Sequence, residues 1–259
     1  MVYGLEPRAR GRLPRGGAGG GPLQGGLRRG PILPGAVVSR STVLCEPTGP
    51  LYRIGRAEAP FHFSEITPEV SGLPNAGNRF DVLGGGVMYA ASTPTGAFVE
   101  TLQSFRPTTA ARAAVARDTP GFMIAGSVPR DWRERRRLAR LTLEEPSPFI
   151  DVESSDAWPV FEDALAPELC RLGISRLDIG AVRGSDRLVT RLLARWAYLA
   201  SLASGEPAYG GVRYMSKLGP FECWAIFDGV QWNPAGQSRI TKQDAAYREA
   251  CALLELVAH

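Results

Sequence analysis

The sequence predicts an α+β fold, in which strands and helices are mixed without the strict alternation of a doubly wound sheet. Two observations support this prediction. Short apolar or aromatic segments bounded by glycine and proline turns recur along the chain and are typical of strands. Longer segments between them carry apolar residues at helical spacing. We find no internal repeat among the 259 residues.

Strands are predicted wherever a short apolar run follows turn residues. The predicted strands are residues 51–56, 86–92, 121–128, 149–152, 212–216 and 221–228. Residues 64–86 are rich in Gly, Pro, Asn and Ser and are expected to form a loop.

The clearest helix start is at Thr93 and Pro94, which suit the N-cap and the first helical position. The apolar face of this helix is formed by Ala97, Phe98, Thr101, Leu102 and Phe105. Further helices are predicted over residues 156–172, 185–203 and 241–257.

Arginines are concentrated in two predicted helices. Asp131 is expected to cap a short helix that carries Arg130, Arg133, Arg135, Arg136, Arg137 and Arg140. In the second, Arg187, Arg191 and Arg195 form one stripe. Either group could contact nucleic acid or an acidic partner, but a solvated face is the simpler interpretation.

The chain divides by composition into a tail and one domain. Residues 1–35 hold eleven glycines, five prolines and six arginines, and too few large apolar side chains to offset the entropy of ordering. We therefore expect a flexible tail at 1–35 and a single domain at 36–259. The net charge of +4 comes from this tail, and the rest of the chain is close to neutral.

Several functional classes are disfavoured by what the sequence lacks. It has no long uncharged stretch for a membrane span and no secretory signal, so the cytoplasm is the expected compartment. Its four cysteines are far apart and it has only two histidines, which predicts no metal site. No nucleophile elbow or phosphate-binding glycine loop is present, and His62 and His259 are poor candidates for a catalytic triad. Catalysis would have to use carboxylates, arginines and hydroxyls.

Four segments stand out in order along the chain. They are Leu51-Tyr-Arg-Ile54, Asn78-Arg-Phe-Asp81, residues 86–102 and Gly211-Val-Arg-Tyr-Met-Ser216. Taken together and in this order they resemble the RES domain family, and the resemblance is strongest in the block from Tyr89 to Glu100.

The resemblance implies both a fold and an activity. RES proteins resemble ADP-ribosyltransferases, so a split β-sheet core with surrounding helices is expected, with a cleft for the substrate between two small sheets. They are mostly toxins of toxin–antitoxin pairs that degrade NAD⁺ by hydrolysis or phosphorolysis. The resemblance thus implies an enzyme that takes NAD⁺ as substrate, with no cofactor or metal. Phosphate is a candidate co-substrate, a cognate antitoxin a candidate partner and a homodimer a candidate assembly.

Five residues match the family's motifs and are expected to form the site. Glu100 would stabilise the cationic ribose as the nicotinamide bond breaks, which is chemistry that needs a nearby carboxylate. Arg53 and Arg79 would hold the dinucleotide, because a guanidinium can bind two phosphate oxygens at once. Tyr89 would stack on nicotinamide or orient a ribose hydroxyl, and Ser216 would bind the nicotinamide amide or position Glu100.

Each of these residues also has an ordinary structural interpretation. Glu100 could be an exposed helical glutamate, Arg53 a paired structural arginine, and Arg79 a solvated loop arginine. Tyr89 could be a core residue and Ser216 a hydrogen-bonded strand serine.

Two other functions remain open at this point. A protein ADP-ribosyltransferase would use the same cleft with a macromolecular acceptor. A non-catalytic RNA-binding protein would use the Arg/Gly tail and release no nicotinamide.

Overall fold

The computed structural model describes residues 44–115, 126–144 and 148–259. The described part of the chain forms ten strands and eight α-helices. The strands are β1 Leu44–Cys45, β2 Leu51–Arg56, β3 Val87–Ala91, β4 Ser127–Val128, β5 Arg136–Leu143, β6 Phe149–Asp151, β7 Gly211–Met215, β8 Glu222–Phe227, β9 Trp232–Arg239 and β10 Val257–Ala258. The helices are α1 Pro68–Ser71, α2 Pro94–Leu102, α3 Thr109–Val115, α4 Arg130–Glu134, α5 Trp158–Arg171, α6 Ile179–Arg183, α7 Arg187–Leu199 and α8 Ala245–Leu253.

Eight strands form one sheet in the order β1-β6-β7-β8-β3-β2-β5-β9, and β10 pairs with β4 in a separate two-stranded sheet. Neighbouring strands of the large sheet are antiparallel, except for β6 and β7. Strands β2 and β3 are joined by a single residue pair, Tyr52 with Ala91. The large sheet is therefore nearly divided between these two strands. The α+β class is confirmed, and the expected cleft between two small sheets corresponds to this junction of two halves of one sheet.

Apolar side chains bury both faces of the sheet. On one side, α5 and α7 pack over β7 and β8 through residues such as Phe161 and Leu193. A second cluster joins α2 to α8 through Phe98, Leu102 and Tyr247. A third cluster, which includes Trp224, covers part of the sheet with residues of β2, β3, β5, β6 and β8. These clusters fix the strand ends and helix α2, which carry the candidate site.

Helix α2 begins as the sequence predicts. The Thr93 side chain accepts a hydrogen bond of 3.1 Å from the Gly96 amide, and Pro94 occupies the first turn. The buried face of the helix is formed by Phe98, Val99 and Leu102. Because this face is held against α8, Glu100 points away from that contact.

The structure corrects several predicted boundaries. The predicted loop at 64–86 includes the short helix α1, and the last helix stops at Leu253, with Val257 in strand β10 instead. The predicted strand at 121–128 is confirmed at Ser127–Val128, and its residues 121–125 lie outside the described residues, as does the predicted tail at 1–35. Strand β9 was not predicted.

The predicted arginine-rich helix is wrong for half of its residues. Helix α4 ends at Glu134, and Arg136, Arg137 and Arg140 lie on strand β5. Asp131 does not cap α4, because Pro129 is at the N-cap position and Asp131 lies in the first turn, paired with Arg135. The pattern of arginines suits a helix locally, but pairing with β2 and β9 on both sides makes the segment a strand.

Among the described helices, none is long and apolar enough to cross a lipid bilayer.

Gly55 allows the chain to pass close to strand β2. A methyl group at Gly55 would lie 2.1 Å from the main-chain oxygen of Pro60. Because backbone must move to relieve this contact, Gly55→Ala should lower the free energy of unfolding by about 1–3 kcal/mol in urea denaturation. Gly49→Ala is the matched control, since a methyl group there has no atom within 4 Å. Equal unfolding midpoints for the two variants would contradict this close approach.

Candidate functional site

A cleft of about 500 Å³ opens where the sheet is nearly divided. Its walls come from β2, β3, α2, the end of β7, the start of α7 and the loop before β3. Four of the five predicted site residues line it directly, namely Arg53, Arg79, Tyr89 and Glu100. The fifth, Ser216, is buried behind Glu100 with 2% of its surface exposed. All five predicted residues therefore meet at one place in the fold.

Glu100 and Ser216 are joined by a short hydrogen bond. The Ser216 hydroxyl donates to Oε1 of Glu100 at 2.5 Å, across 116 positions of sequence. The same hydroxyl oxygen accepts from the Leu218 amide at 3.1 Å, which fixes its direction. Glu100 Oε2 accepts no hydrogen bond from a described residue, and no described cation forms an ion pair with this carboxylate. One carboxylate oxygen is thus held by the protein and the other can face a ligand.

Arg53 lies on β2 and is partly buried. One of its terminal nitrogens donates to the main-chain oxygen of His62 at 2.9 Å, while Nε is buried without a hydrogen-bond partner among the described residues. Burial lowers the pKa of the Arg53 guanidinium to about 10, so it remains charged at neutral pH. If Arg53 were a structural arginine in an ion pair, which was the alternative interpretation of its sequence, it would have a carboxylate partner. Arg53 forms no ion pair with any described carboxylate.

Arg79 is held by aromatic rings instead of by an acidic side chain. Its guanidinium lies 5.0 Å from the ring centre of Phe80 and 5.1 Å from that of Tyr214. A terminal nitrogen donates to the main-chain oxygen of Val182 at 2.9 Å, and Nε is buried without a partner in the described structure. Such stacking fixes a guanidinium without neutralising it. Arg79 is therefore a positioned positive charge and not a solvated loop arginine.

Tyr89 is anchored by its hydroxyl. It donates to Oδ1 of Asp81 at 2.8 Å and accepts from the Phe80 amide at 3.0 Å. Burial raises the pKa of Tyr89 well above its usual range, and the Asp81 carboxylate raises it further. Since its proton is donated to Asp81, the ring is the part of Tyr89 best placed to meet a ligand.

Asp81 organises the loop that carries Arg79. It is 1% exposed and accepts from four donors. Besides Tyr89, these are the Asn78 amide at 2.6 Å, the Asn78 side chain at 3.4 Å and the Ser64 hydroxyl at 3.1 Å. The bond from Tyr89 ties the loop to strand β3, the two from Asn78 close the turn that holds Arg79, and the one from Ser64 joins the turn to the preceding chain.

Two of the three arginines in the predicted stripe on α7 bind main-chain oxygens of a loop, whereas the third, Arg195, is exposed as a solvated face requires. Arg187 donates to the main-chain oxygens of Asn75 and Gly77, and Arg191 donates to those of Leu73 and Ala76. These bonds hold the loop that forms one wall of the cleft, and Arg187 itself lines the cleft.

Lys217 also lines the cleft, one residue beyond Ser216, and donates to the main-chain oxygen of Gly184. Burial lowers its pKa, and the charges of Arg79 and Arg187 lower it further. Four cations, Arg53, Arg79, Arg187 and Lys217, therefore face a cleft that contains the Glu100 carboxylate. This balance suits a ligand with more than one negative charge.

Sequence reasoning missed Asp81, Arg187, Lys217 and Tyr214 as parts of this site. A weak indication existed for Asp81, because Asn78 and Asp81 have the spacing of a turn closed by a side chain. The other three become neighbours of Glu100 and Arg79 only when α7 and β7 pack together. Nothing local in their sequence indicates that packing.

Comparisons with known proteins give a family match and a structural neighbour. A family model described as the RES domain matches residues 50–248. No curated protein matches the chain. A chain of the crystal structure of the M. tuberculosis MbcT–MbcA toxin–antitoxin complex is similar in structure, with 16% sequence identity and a TM-score of 0.48. The similarity covers 81% of this chain and 92% of that one.

Asp81→Asn tests the anchoring of this loop. The amide would present a hydrogen-bond donor to a pocket that holds several donors, so the free energy of unfolding should fall by roughly 1–3 kcal/mol. Urea denaturation followed by tryptophan fluorescence measures this change. Asp163→Asn, on the exposed side of α5, makes the same chemical change and should leave the midpoint unaltered. If the two variants unfold alike, Asp81 does not organise the loop.

Proposed function

This chain belongs to the RES domain family, since the family match spans most of its length, and on that premise we propose that it cleaves the nicotinamide–ribose bond of NAD⁺. The proposal rests chiefly on one observation. Among the described residues that line a cleft with four cations, the one carboxylate is held by a buried serine, and its other oxygen accepts no hydrogen bond from a described residue.

The cations account for binding of the dinucleotide. The pyrophosphate of NAD⁺ carries two negative charges, and neither Arg53 nor Arg79 forms an ion pair with a described carboxylate. Charge-assisted hydrogen bonds from their guanidinium groups to phosphate oxygens would compensate this positive charge. We assign the grip on the pyrophosphate to Arg53 and Arg79, with Arg187 and Lys217 adding positive potential.

Glu100 accounts for the chemistry. As the nicotinamide bond breaks, positive charge develops on the ribose, and a fixed carboxylate stabilises that charge without having to reorganise. Ser216 acts on the reaction by fixing Oε1 of Glu100, so that Oε2 is directed toward the ribose. The ring of Tyr89 packs against the nicotinamide ribose, because its hydroxyl is used by Asp81.

The acceptor of the ADP-ribosyl group is water or phosphate. In either case the bond from the anomeric carbon to the nicotinamide nitrogen breaks, nicotinamide leaves neutral with the bonding electrons, and the acceptor oxygen bonds to that carbon, with any proton it carries lost to solvent. Loss of NAD⁺ would poison a cell, so a toxin restrained by a cognate antitoxin that covers the cleft is the biological setting we propose.

Glu100→Gln should remove the activity and keep the fold. The neutral amide cannot balance the developing positive charge, so the rate of NAD⁺ loss should fall roughly 10²- to 10³-fold. Nicotinamide release by purified protein measures the rate, and the exposed Glu69→Gln is the matched control. Wild-type turnover in Glu100→Gln would reject this assignment.

Parallel reactions with and without phosphate identify the acceptor. Free ADP-ribose as the product indicates water, and ADP-ribose 1″-phosphate indicates phosphate. Label transferred from NAD⁺ to lysate macromolecules would instead support the ADP-ribosyltransferase alternative. RNA binding without nicotinamide release would support the non-catalytic one.

Ser216→Ala separates positioning from binding. Without the hydroxyl, Glu100 loses its one side-chain hydrogen bond among the described residues and samples more orientations. The turnover number should drop about 10- to 100-fold while KM changes little, because Ser216 is buried behind the carboxylate. Ser216→Thr keeps the hydroxyl and should recover part of the turnover. A rise in KM at unchanged turnover would show that Ser216 binds substrate directly.

A further inference from the structure

A second concavity, of about 860 Å³, lies where strand β5 begins and strand β9 ends. We call it the basic hollow, and the charged side chains that line it are Arg130, Arg133, Glu134, Arg137, Arg239 and Lys242. It shares no lining residue with the NAD⁺ cleft. Five cationic side chains thus face one carboxylate, in a part of the molecule that the proposed reaction does not use.

The strand register places two of these cations directly opposite each other. Arg137 on β5 pairs with Arg239 on β9, an arrangement in which like charges repel. Neither side chain forms an ion pair with a carboxylate in the described part of the chain. Arg137 donates only to main-chain oxygens, at Glu134 and Arg136. The repulsion between Arg137 and Arg239 is therefore not relieved by the described protein.

Arg133 adds a buried charge at the base of the hollow. It is 8% exposed, and a terminal nitrogen donates to the main-chain oxygen of His259. Its Nε is buried with no hydrogen-bond partner among the described residues. Glu134, the one carboxylate among the lining side chains, is already paired with Arg130 at 2.8 Å. Arg133 thus brings to the hollow a buried positive charge that no described acidic side chain pairs with.

We propose that the basic hollow binds a chain of two or three linked phosphates, as found in nucleoside polyphosphates and in inorganic polyphosphate. Guanidinium groups match phosphate oxygens in geometry, and linked phosphates concentrate several charges in a small volume. The hollow is within the size range of small-ligand sites and exceeds what one phosphate needs. An extended acidic peptide or an RNA would spread its charges along a surface, whereas these cations converge on one concavity.

The test is calorimetric titration of the full-length protein with tripolyphosphate and, separately, with ATP. The informative variant is Arg239→Gln with Lys242→Gln, because both side chains are exposed and make no hydrogen bond with a described residue. Arg106→Gln with Arg248→Gln is the matched control, since it removes two exposed charges that line neither hollow. The Arg239/Lys242 variant should bind both ligands at least about tenfold more weakly, and the control should bind within about twofold of wild type.

Comparison of the two ligands shows whether a nucleotide or only its phosphate chain is recognised, and a further variant shows where the ligand binds. Equal affinity for tripolyphosphate and ATP indicates that the phosphate chain alone is recognised, and tighter binding of ATP indicates a nucleotide. Three results would overturn the proposal. The first is no binding of either probe to wild type. The second is equal affinity in the Arg239/Lys242 variant. The third is loss of binding only in Arg79→Gln, which would place the anion in the NAD⁺ cleft.

If the Arg239/Lys242 variant does not fold, Lys242→Gln alone gives the same test with a smaller expected loss, about threefold. Unchanged affinity in that variant would count against the site. Binding of a single-stranded RNA oligomer without binding of tripolyphosphate would also contradict it and would indicate a nucleic-acid surface.

Discussion

The hydrogen bond from Ser216 to Glu100 connects helix α2 with the turn after β7, two elements that are far apart in sequence. It can form only if α2 is held against α8 on one side and β7 is held in the sheet on the other. A carboxylate with one oxygen restrained and the other free of hydrogen bonds from the described residues is well suited to meet a developing positive charge. The remaining features of the cleft are arranged around this carboxylate.

The near-division of the sheet supplies the space for this arrangement. Because β2 and β3 share one residue pair, their facing side chains are free to line a cleft instead of packing together. The loop before β3 forms one wall of the cleft. It is held to β3 by the hydrogen bond between Asp81 and Tyr89, and to α7 by Arg187 and Arg191. Positive charge exceeds negative charge among the described residues that line the cleft, which favours an anionic ligand.

The sequence predicted correctly those helices and strands that are determined by neighbouring residues along the chain. Thr93 and Pro94 specify the start of α2, and most predicted strands match the structure within two residues. Strand β9 was missed because most of its side chains are exposed, so it lacks apolar alternation and depends on backbone pairing with β5. Family motifs indicated the five candidate site residues, whereas the contacts of Asp81 and Arg187 around the cleft form only in the folded chain.

The most direct test of the central claim is a crystal structure of the Glu100→Gln variant with NAD⁺ bound. The account predicts the nicotinamide ribose next to residue 100, the pyrophosphate against Arg53 and Arg79, and the Tyr89 ring against the ribose or nicotinamide. Density for the dinucleotide elsewhere on the protein, or a ribose turned away from residue 100 in this cleft, would contradict it.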